Sequence, residues 1–213
     1  AAVPTSRDDV CLIAFTSGTT GQPKGCMHFH RDVLAMCDGF SAQVLRTAQS
    51  DRCIGTPPLA FTFGLGGLLC FPLAARGAAV LLEKATPESL LDAIDATKAT
   101  VTFTAPTFYR QMALALNRDR ARWSLRSLRA SVSAGEALPD ATRNFWRQET
   151  KIEMLDGIGA TEMIHIFIAA AGKDVRPGAI GRAVPGYEVA ILDDALQPVP
   201  LGNVGRLAVR GPT

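Results

Sequence analysis

The chain has 213 residues, 47% hydrophobic and 20% charged, enough for one sizeable core. Twenty-two basic and 20 acidic residues give a net charge of only +2, so nothing calls for nucleic acid or an anionic membrane. This composition excludes a disordered tail, a collagen-like fibre and a disulfide-built miniprotein.

From the amino end, Val10 to Phe15 reads as a buried strand entering a loop rich in Ser, Thr and Gly. Arg31 to Leu45 has helical spacing, with Val33, Leu34, Met36, Cys37, Phe40 and Val44 toward one side. Arg52 to Thr56 predicts a short strand stopped by Pro57 and Pro58. The most apolar run, Leu65 to Leu82, is about the length of a membrane span. Pro72, Arg76 and its glycines divide it into a loop, a short helix and the strand Ala78 to Leu82, so core is expected and not membrane. Thr86 then caps a helix whose first positions are Pro87 and Glu88.

The alternation continues. Thr100 to Thr104 predicts a strand, Pro106 opens a helix to about Leu116, and Leu128 to Ser133 is a strand. Pro139 starts a helix to about Glu149, and Ile152 to Leu155 is a strand again. Such alternation predicts an α/β fold, a largely parallel sheet with helices on both faces. After Pro177 the texture changes: Glu188 to Leu192 and Arg206 to Arg210 predict the strands of a small β-rich subdomain. The expected division is 1–176 and 177–213.

The five cysteines, Cys11, Cys26, Cys37, Cys53 and Cys70, form no CxxC pair and no secretory leader is read before them. Scattered thiols of this kind point to a reducing, cytoplasmic setting. His28 and His30 have no third ligand nearby in sequence, so no metal is assigned to them. The arginines at 118, 120, 122, 126 and 129 read as a solvated connector.

The densest chemistry lies in Thr16-Ser17-Gly18-Thr19-Thr20-Gly21-Gln22-Pro23-Lys24-Gly25, with four hydroxyls, three glycines and a lysine. Glycines let successive backbone N–H groups converge, hydroxyls add donors, and Lys24 adds a compact charge, a combination suited to a polyphosphate. The spacing is not that of P-loop NTPases. An ordinary polar turn is the competing reading.

This segment resembles the phosphate loop of the adenylate-forming superfamily, which comprises acyl-CoA synthetases, adenylation domains and luciferases. Further matches come in that family's order: Ala105-Pro106-Thr107; Ser133-Ala134-Gly135-Glu136; Asp156-Gly157-Ile158-Gly159-Ala160-Thr161-Glu162; and Arg176-Pro177-Gly178 with Gly181 and Pro185-Gly186. Ile158 stands where the family more often has an aromatic residue.

The resemblance implies that Thr16, Ser17, Gly18, Thr19, Thr20, Gly21 and Lys24 hold the ATP phosphates. Gly135, Glu136, Ala137, Asp156, Gly157, Ile158 and Gly159 are then expected to surround adenine. Lys24, Thr161 and Glu162 are the expected catalytic residues, with Glu162 ligating Mg²⁺. Phe61, Phe103, Ala105, Gly159 and His165 are the expected acid pocket. Phe61 and the stretch Met163-Ile164-His165-Ile166-Phe167 are similar to benzoate- and 2-aminobenzoate–CoA ligases.

The activity implied is ATP-dependent conversion of an aromatic carboxylic acid to an acyl-adenylate and then a coenzyme A thioester. A carrier-protein adenylation domain and a non-catalytic nucleotide-binding module are the alternatives. A hydrolase would need a GxSxG elbow, which the sequence lacks. Measured against the family, the chain is expected to be a central, inactive fragment of a large N-terminal domain, without the mobile C-terminal domain.

Overall fold

The computed structural model describes residues 3–16 and 22–213. Its centre is a seven-stranded sheet of order β4-β3-β5-β6-β7-β8-β9. The strands are β3 (Arg52–Gly55), β4 (Ala78–Val80), β5 (Val101–Thr104), β6 (Ala130–Ser133), β7 (Met154–Gly159), β8 (Ile166–Ala170) and β9 (Arg182–Ala183). The first five in spatial order, β4 through β7, run parallel, while β8 and β9 are antiparallel additions. The largely parallel α/β sheet expected from the alternation is therefore present, with a mixed edge.

Strand pleating feeds two cores, because successive side chains point to opposite faces. Cys53, Val101, Phe103, Val132 and Leu155 join one core with Phe40, Phe71, Ile166 and Phe167. Ile54 and Met154 face the other way, onto the helices α4 (Pro87–Thr97), α5 (Pro106–Arg118) and α6 (Asp140–Thr150). There Tyr109 and Trp146 are fully buried and meet edge-on at 4.9 Å. Tyr109 donates its hydroxyl proton to the Thr102 carbonyl at 2.9 Å, and Trp146 donates from Nε1 to Ser131 Oγ at 3.0 Å. Each such aromatic is anchored by a satisfied polar atom as well as by buried area.

The first helix, α1 (His30–Met36), continues as π-helical turns over Cys37–Leu45. Leu34, expected inward, is 62% exposed. The apolar run divides into α2 (Thr62–Leu65), π-helical Gly66–Cys70, α3 (Phe71–Ala74) and β4. Among the described residues no helix is long and apolar enough to cross a membrane.

The expectation for the first strand is overturned. Val10 to Phe15 is not a buried strand: β1 (Val10–Thr16) pairs antiparallel with β2 (Lys24–Phe29) in a separate hairpin. Ile13 is 54% and Phe15 68% exposed there. The apolar composition of β1 resembles that of a core strand, but no sheet or helix among the described residues covers that face. The small β-rich unit is the antiparallel pair β10 (Glu188–Leu192) and β11 (Arg206–Arg210). Arg182 and Ala183 still belong to the main sheet through β8.

Candidate active site

The site gathers at the carboxyl ends of the parallel strands, where open α/β sheets take their ligands. Parallel pairing sets Ser133 opposite Asp156, so the segments leaving β6 and β7 emerge side by side. The turn after β6 needs Gly135, whose φ of +94° an L side chain rarely adopts. Beside it lies a cavity of about 460 Å³ lined by Gly135, Glu136, Ala137, Asp156, Gly157, Ile158 and Gly159. All seven expected adenine-site residues thus meet in one place.

The same cavity has walls that the sequence reading missed: Leu138, Arg143, Arg176 and Ile180. Arg143 is buried; it donates from Nη1 to the Met154 carbonyl at 2.8 Å and has Nη2 3.7 Å from Asp156. Burial pushes the Asp156 carboxyl above its ordinary range, and the Arg143 charge opposes that shift. The basic character of Arg143 was visible in the sequence, but its pairing depends on the α6–β7 packing. Glu136 does not turn its carboxylate toward the cavity's apolar wall. Its Oε1 accepts from Thr107 N at 3.0 Å and Thr107 Oγ1 at 2.8 Å, closing the first turn of α5.

A second cavity, of about 240 Å³, is lined by Phe61, Thr62, Phe63, Ala134, Gly135, Gly159, Ala160, Thr161, His165 and Ile166. It shares Gly135 and Gly159 with the first, so the two chambers adjoin. Of the residues expected for the acid pocket, Phe61, Gly159 and His165 line this cavity together. Phe103 does not line this cavity: it is wholly buried behind Phe63, with ring centroids 5.9 Å apart. Ala105 is likewise absent from its lining and instead precedes α5 as the N-cap.

His165 is enclosed by Phe40, Phe63 and Phe71 at centroid distances of 5.3, 5.7 and 4.6 Å. Neither ring nitrogen has a hydrogen-bond partner. Burial pushes its pKa down to about 3, with the Phe63 backbone pulling weakly the other way, so the imidazole is neutral at ordinary pH.

Thr161 and Glu162 sit in the 3₁₀ turn Thr161–Met163 after β7. A third cleft, of about 490 Å³, brings Glu162 together with Cys26, His28, Arg31 and Asp32. By strand alternation Lys24 and Cys26 share a face of β2, so the lysine strand lies alongside the glutamate turn. Burial and the Glu162 charge both raise the Cys26 thiol. Ser17, Gly18, Thr19, Thr20 and Gly21 lie outside the described residues, while Thr16 pairs with Lys24 at the end of the hairpin.

Glu162 is exposed and enters none of the ion pairs among the described residues. Nor do three or more metal-ligating side chains cluster among those residues. A lone, available carboxylate fits Mg²⁺ that arrives with a nucleotide, since that ion usually takes one or two carboxylates plus phosphate oxygens and water.

With this geometry in view, the comparisons with known proteins agree. A family model described as AMP-binding enzyme matches residues 1–213. The chain is 36% identical over 214 residues to a benzoate–CoA ligase of Thauera aromatica, covering 100% of this chain and 40% of that protein. It is 37% identical over 205 residues to an anthranilate–CoA ligase of Pseudomonas aeruginosa, covering 95% of this chain and 38% of the relative. The crystal structure of the anthranilate CoA ligase AuaEII in complex with anthranoyl-AMP superposes with a TM-score of 0.92 at 40% identity, over 99% of this chain and 40% of that one. The chain thus spans about 40% of the length of these relatives. Its match from end to end, together with relatives more than a third identical along nearly its whole length, makes it a member of the AMP-binding enzyme family, within the adenylate-forming superfamily.

Proposed function

We propose that the protein containing this chain activates a benzoate-type aromatic acid with ATP and passes the acyl group to coenzyme A. The adjoining of the two cavities at Gly135 and Gly159 carries this reading. Adenosine fits the larger chamber, a single ring fits the smaller, and the reacting carboxylate and α-phosphate meet at their junction, beside Thr161. At about 240 Å³ the acid chamber is smaller than typical pockets for drug-sized ligands, roughly 300–1,000 Å³, which suits one ring and not a long acyl chain.

In the first half-reaction an acid oxygen forms a bond to the α-phosphorus while the bond to pyrophosphate breaks. In the second, the thiol of coenzyme A adds to the acyl carbon and AMP leaves. Such displacements depend on alignment and on neutralising charge in flight. Thr161 donates its hydroxyl to the α-phosphate, and Lys24, with Thr16 and the loop of residues 17–21, holds the phosphate tail. Glu162 would hold Mg²⁺, which when bound offsets the charge of the departing pyrophosphate.

Phe61, Phe63 and Ile166 supply flat apolar walls for the ring. His165, neutral and unpartnered, offers one donor and one acceptor to a ring amino or hydroxyl group. Residues 1–176 are assigned to nucleotide and acyl binding and 177–213 to the start of the β-rich unit, with the exceptions that Ile180 reaches the nucleotide cavity and Arg182 and Ala183 complete the main sheet. Five free cysteines suit a cytoplasmic setting.

The test is acid-dependent ATP–pyrophosphate exchange by the full-length protein, across benzoate, 2-aminobenzoate, hydroxybenzoates and a long fatty acid, followed by thioester formation with coenzyme A. Benzoates should support exchange and the fatty acid should not. Glu162→Ala should lower the exchange rate by about tenfold or more, the scale for one lost electrostatic stabiliser, with little change in KM for the acid. Preference for the fatty acid would overturn the aromatic reading, and exchange without thioester would redirect it to a carrier-protein acceptor.

A further inference from the structure

The turn that presents Thr161 and Glu162 is under backbone strain. Ile164, a β-branched residue with no solvent exposure, has φ +57° and ψ −31°. Conformations of this kind persist only where the surroundings over-determine them. Here two side chains from distant parts of the chain seize the carbonyls on either side of Glu162. His28 Nε2 lies 2.7 Å from the Thr161 carbonyl oxygen. Thr213 donates its hydroxyl to the Met163 carbonyl at 3.2 Å.

The His28 contact is the better built of the two. A carbonyl can only accept, so Nε2 must carry the ring proton. The ring is almost fully buried, and Asp32 Oδ2 stands 3.4 Å from Nδ1 with a side-chain exposure of 5%. Asp32 Oδ2 is itself held by the Phe29 amide at 2.9 Å. Asp32 at the start of α1, His28 at the end of β2 and the glutamate turn are thereby packed in one buried cluster, in which the bond from Nε2 to the Thr161 carbonyl is the link to the turn. Because Lys24 lies on the same strand as His28, the contact fixes the register between the lysine and Glu162.

We propose that His28 is a positioning residue for the adenylation step: its bond to the Thr161 carbonyl sets where Glu162 places its carboxylate. This rests on the function proposed above. Loss of the bond would leave the acid chamber intact, because His28 lines none of it. Its cost would fall on the alignment of metal and phosphate, where a misplacement of about 1 Å can cost on the order of a hundredfold in rate.

The experiment compares His28→Leu, His28→Gln and Thr213→Val in the full-length protein. The readouts are exchange kcat, KM for the acid, Mn²⁺ affinity of the ATP complex, and hydrogen–deuterium exchange of residues 161–166 without ligand. We expect His28→Leu to lower kcat by about tenfold or more, weaken Mn²⁺ and speed amide exchange in the turn, with KM for the acid within about twofold. His28→Gln keeps a donor and should recover at least a third of the wild-type rate. Thr213→Val should speed amide exchange in the same turn, which tests the clamp even if a His28 variant folds poorly. An unchanged rate in His28→Leu, or a Gln variant no better than Leu, would overturn the assignment. A wild-type protein without acid-dependent exchange would instead reject the proposed function, while amide exchange still reports on the clamp.

Discussion

His165 is an imidazole that folding forbids to charge. In the unfolded chain it takes up a proton near 6.5, but in the folded protein only near about 3. Between those values the unfolded state binds more protons, so stability falls as the pH is lowered through that window. Each unit is worth about 1.4 kcal/mol, so between pH 6.5 and 5 this group alone removes roughly 2 kcal/mol. His165→Leu, a replacement of similar bulk, should abolish that part of the dependence. Denaturant unfolding at pH 7 and pH 5 measures it: the wild type should lose roughly 2 kcal/mol more than the variant. Parallel losses would mean that the ring finds a partner after all. The same unpaired nitrogens explain why the sequence showed His165 only as one polar residue in an apolar stretch: its isolation is created by Phe40, Phe63 and Phe71, which arrive from far away in the chain.

At the scale of elements, legibility tracked the local signals. Thr86 accepts from the Ser89 amide at 3.1 Å as the cap of α4, and Pro87 and Pro106 stand at the first positions of their helices. Those residues act on their own turns, so the helices could be read without tertiary knowledge. By contrast, β2 carries Lys24, Gly25 and His28 and lacks any strand-like run; only its pairing with β1 makes it a strand. The strand β8 was hidden for the opposite reason, since five apolar residues fit a core helix as well as a strand. Glu136 is another case in which the partner decides the role. Its carboxylate closes the first turn of α5, so Glu136→Ala should cost about 1 kcal/mol, as loss of a helix cap does. The adjoining Gly135 turn then loses its anchor, and KM for ATP should rise a few-fold while kcat holds. Thermal or denaturant unfolding together with exchange kinetics would check both, and a variant unaltered in both would show the cap to be redundant.

For the molecule as a whole, the sheet separates reactive and structural ends. The Gly135-Glu136-Ala137 and Asp156–Gly159 motifs were legible because they lie at the carboxyl ends of the neighbouring parallel strands β6 and β7, which deliver their ends to the same side of the sheet. Arg143 and Ile180 were not, since they reach the cleft through packing and no local pattern marks them, while Arg176 stood in a recognised motif without a role assigned to it. The opposite end is tied by one buried carboxylate. Asp51, just before β3, accepts from Arg129 Nε at 2.8 Å and Nη2 at 2.5 Å, from the Ala48 amide at 2.8 Å and from the Thr100 hydroxyl at 2.7 Å. Arg129 precedes β6 and Thr100 precedes β5, so three neighbouring strands are registered at their amino ends. Burial pushes the Asp51 carboxyl upward, but Arg129, Ala48 and Thr100 together hold it below its ordinary value. Its stabilisation is therefore full at neutral pH and fades as the pH falls through that lowered value. Asp51→Asn should destabilise the protein by about 3 kcal/mol, the lower end for breaking a buried pair, because Arg129 remains 39% exposed. The difference from wild type should shrink in acid, where Asp51 itself is neutralised. Because this lock sits at the end of the sheet away from the cleft, the folded variant should keep its KM values for acid and ATP. A variant that lost substrate affinity before stability would place the lock in communication with the active site instead.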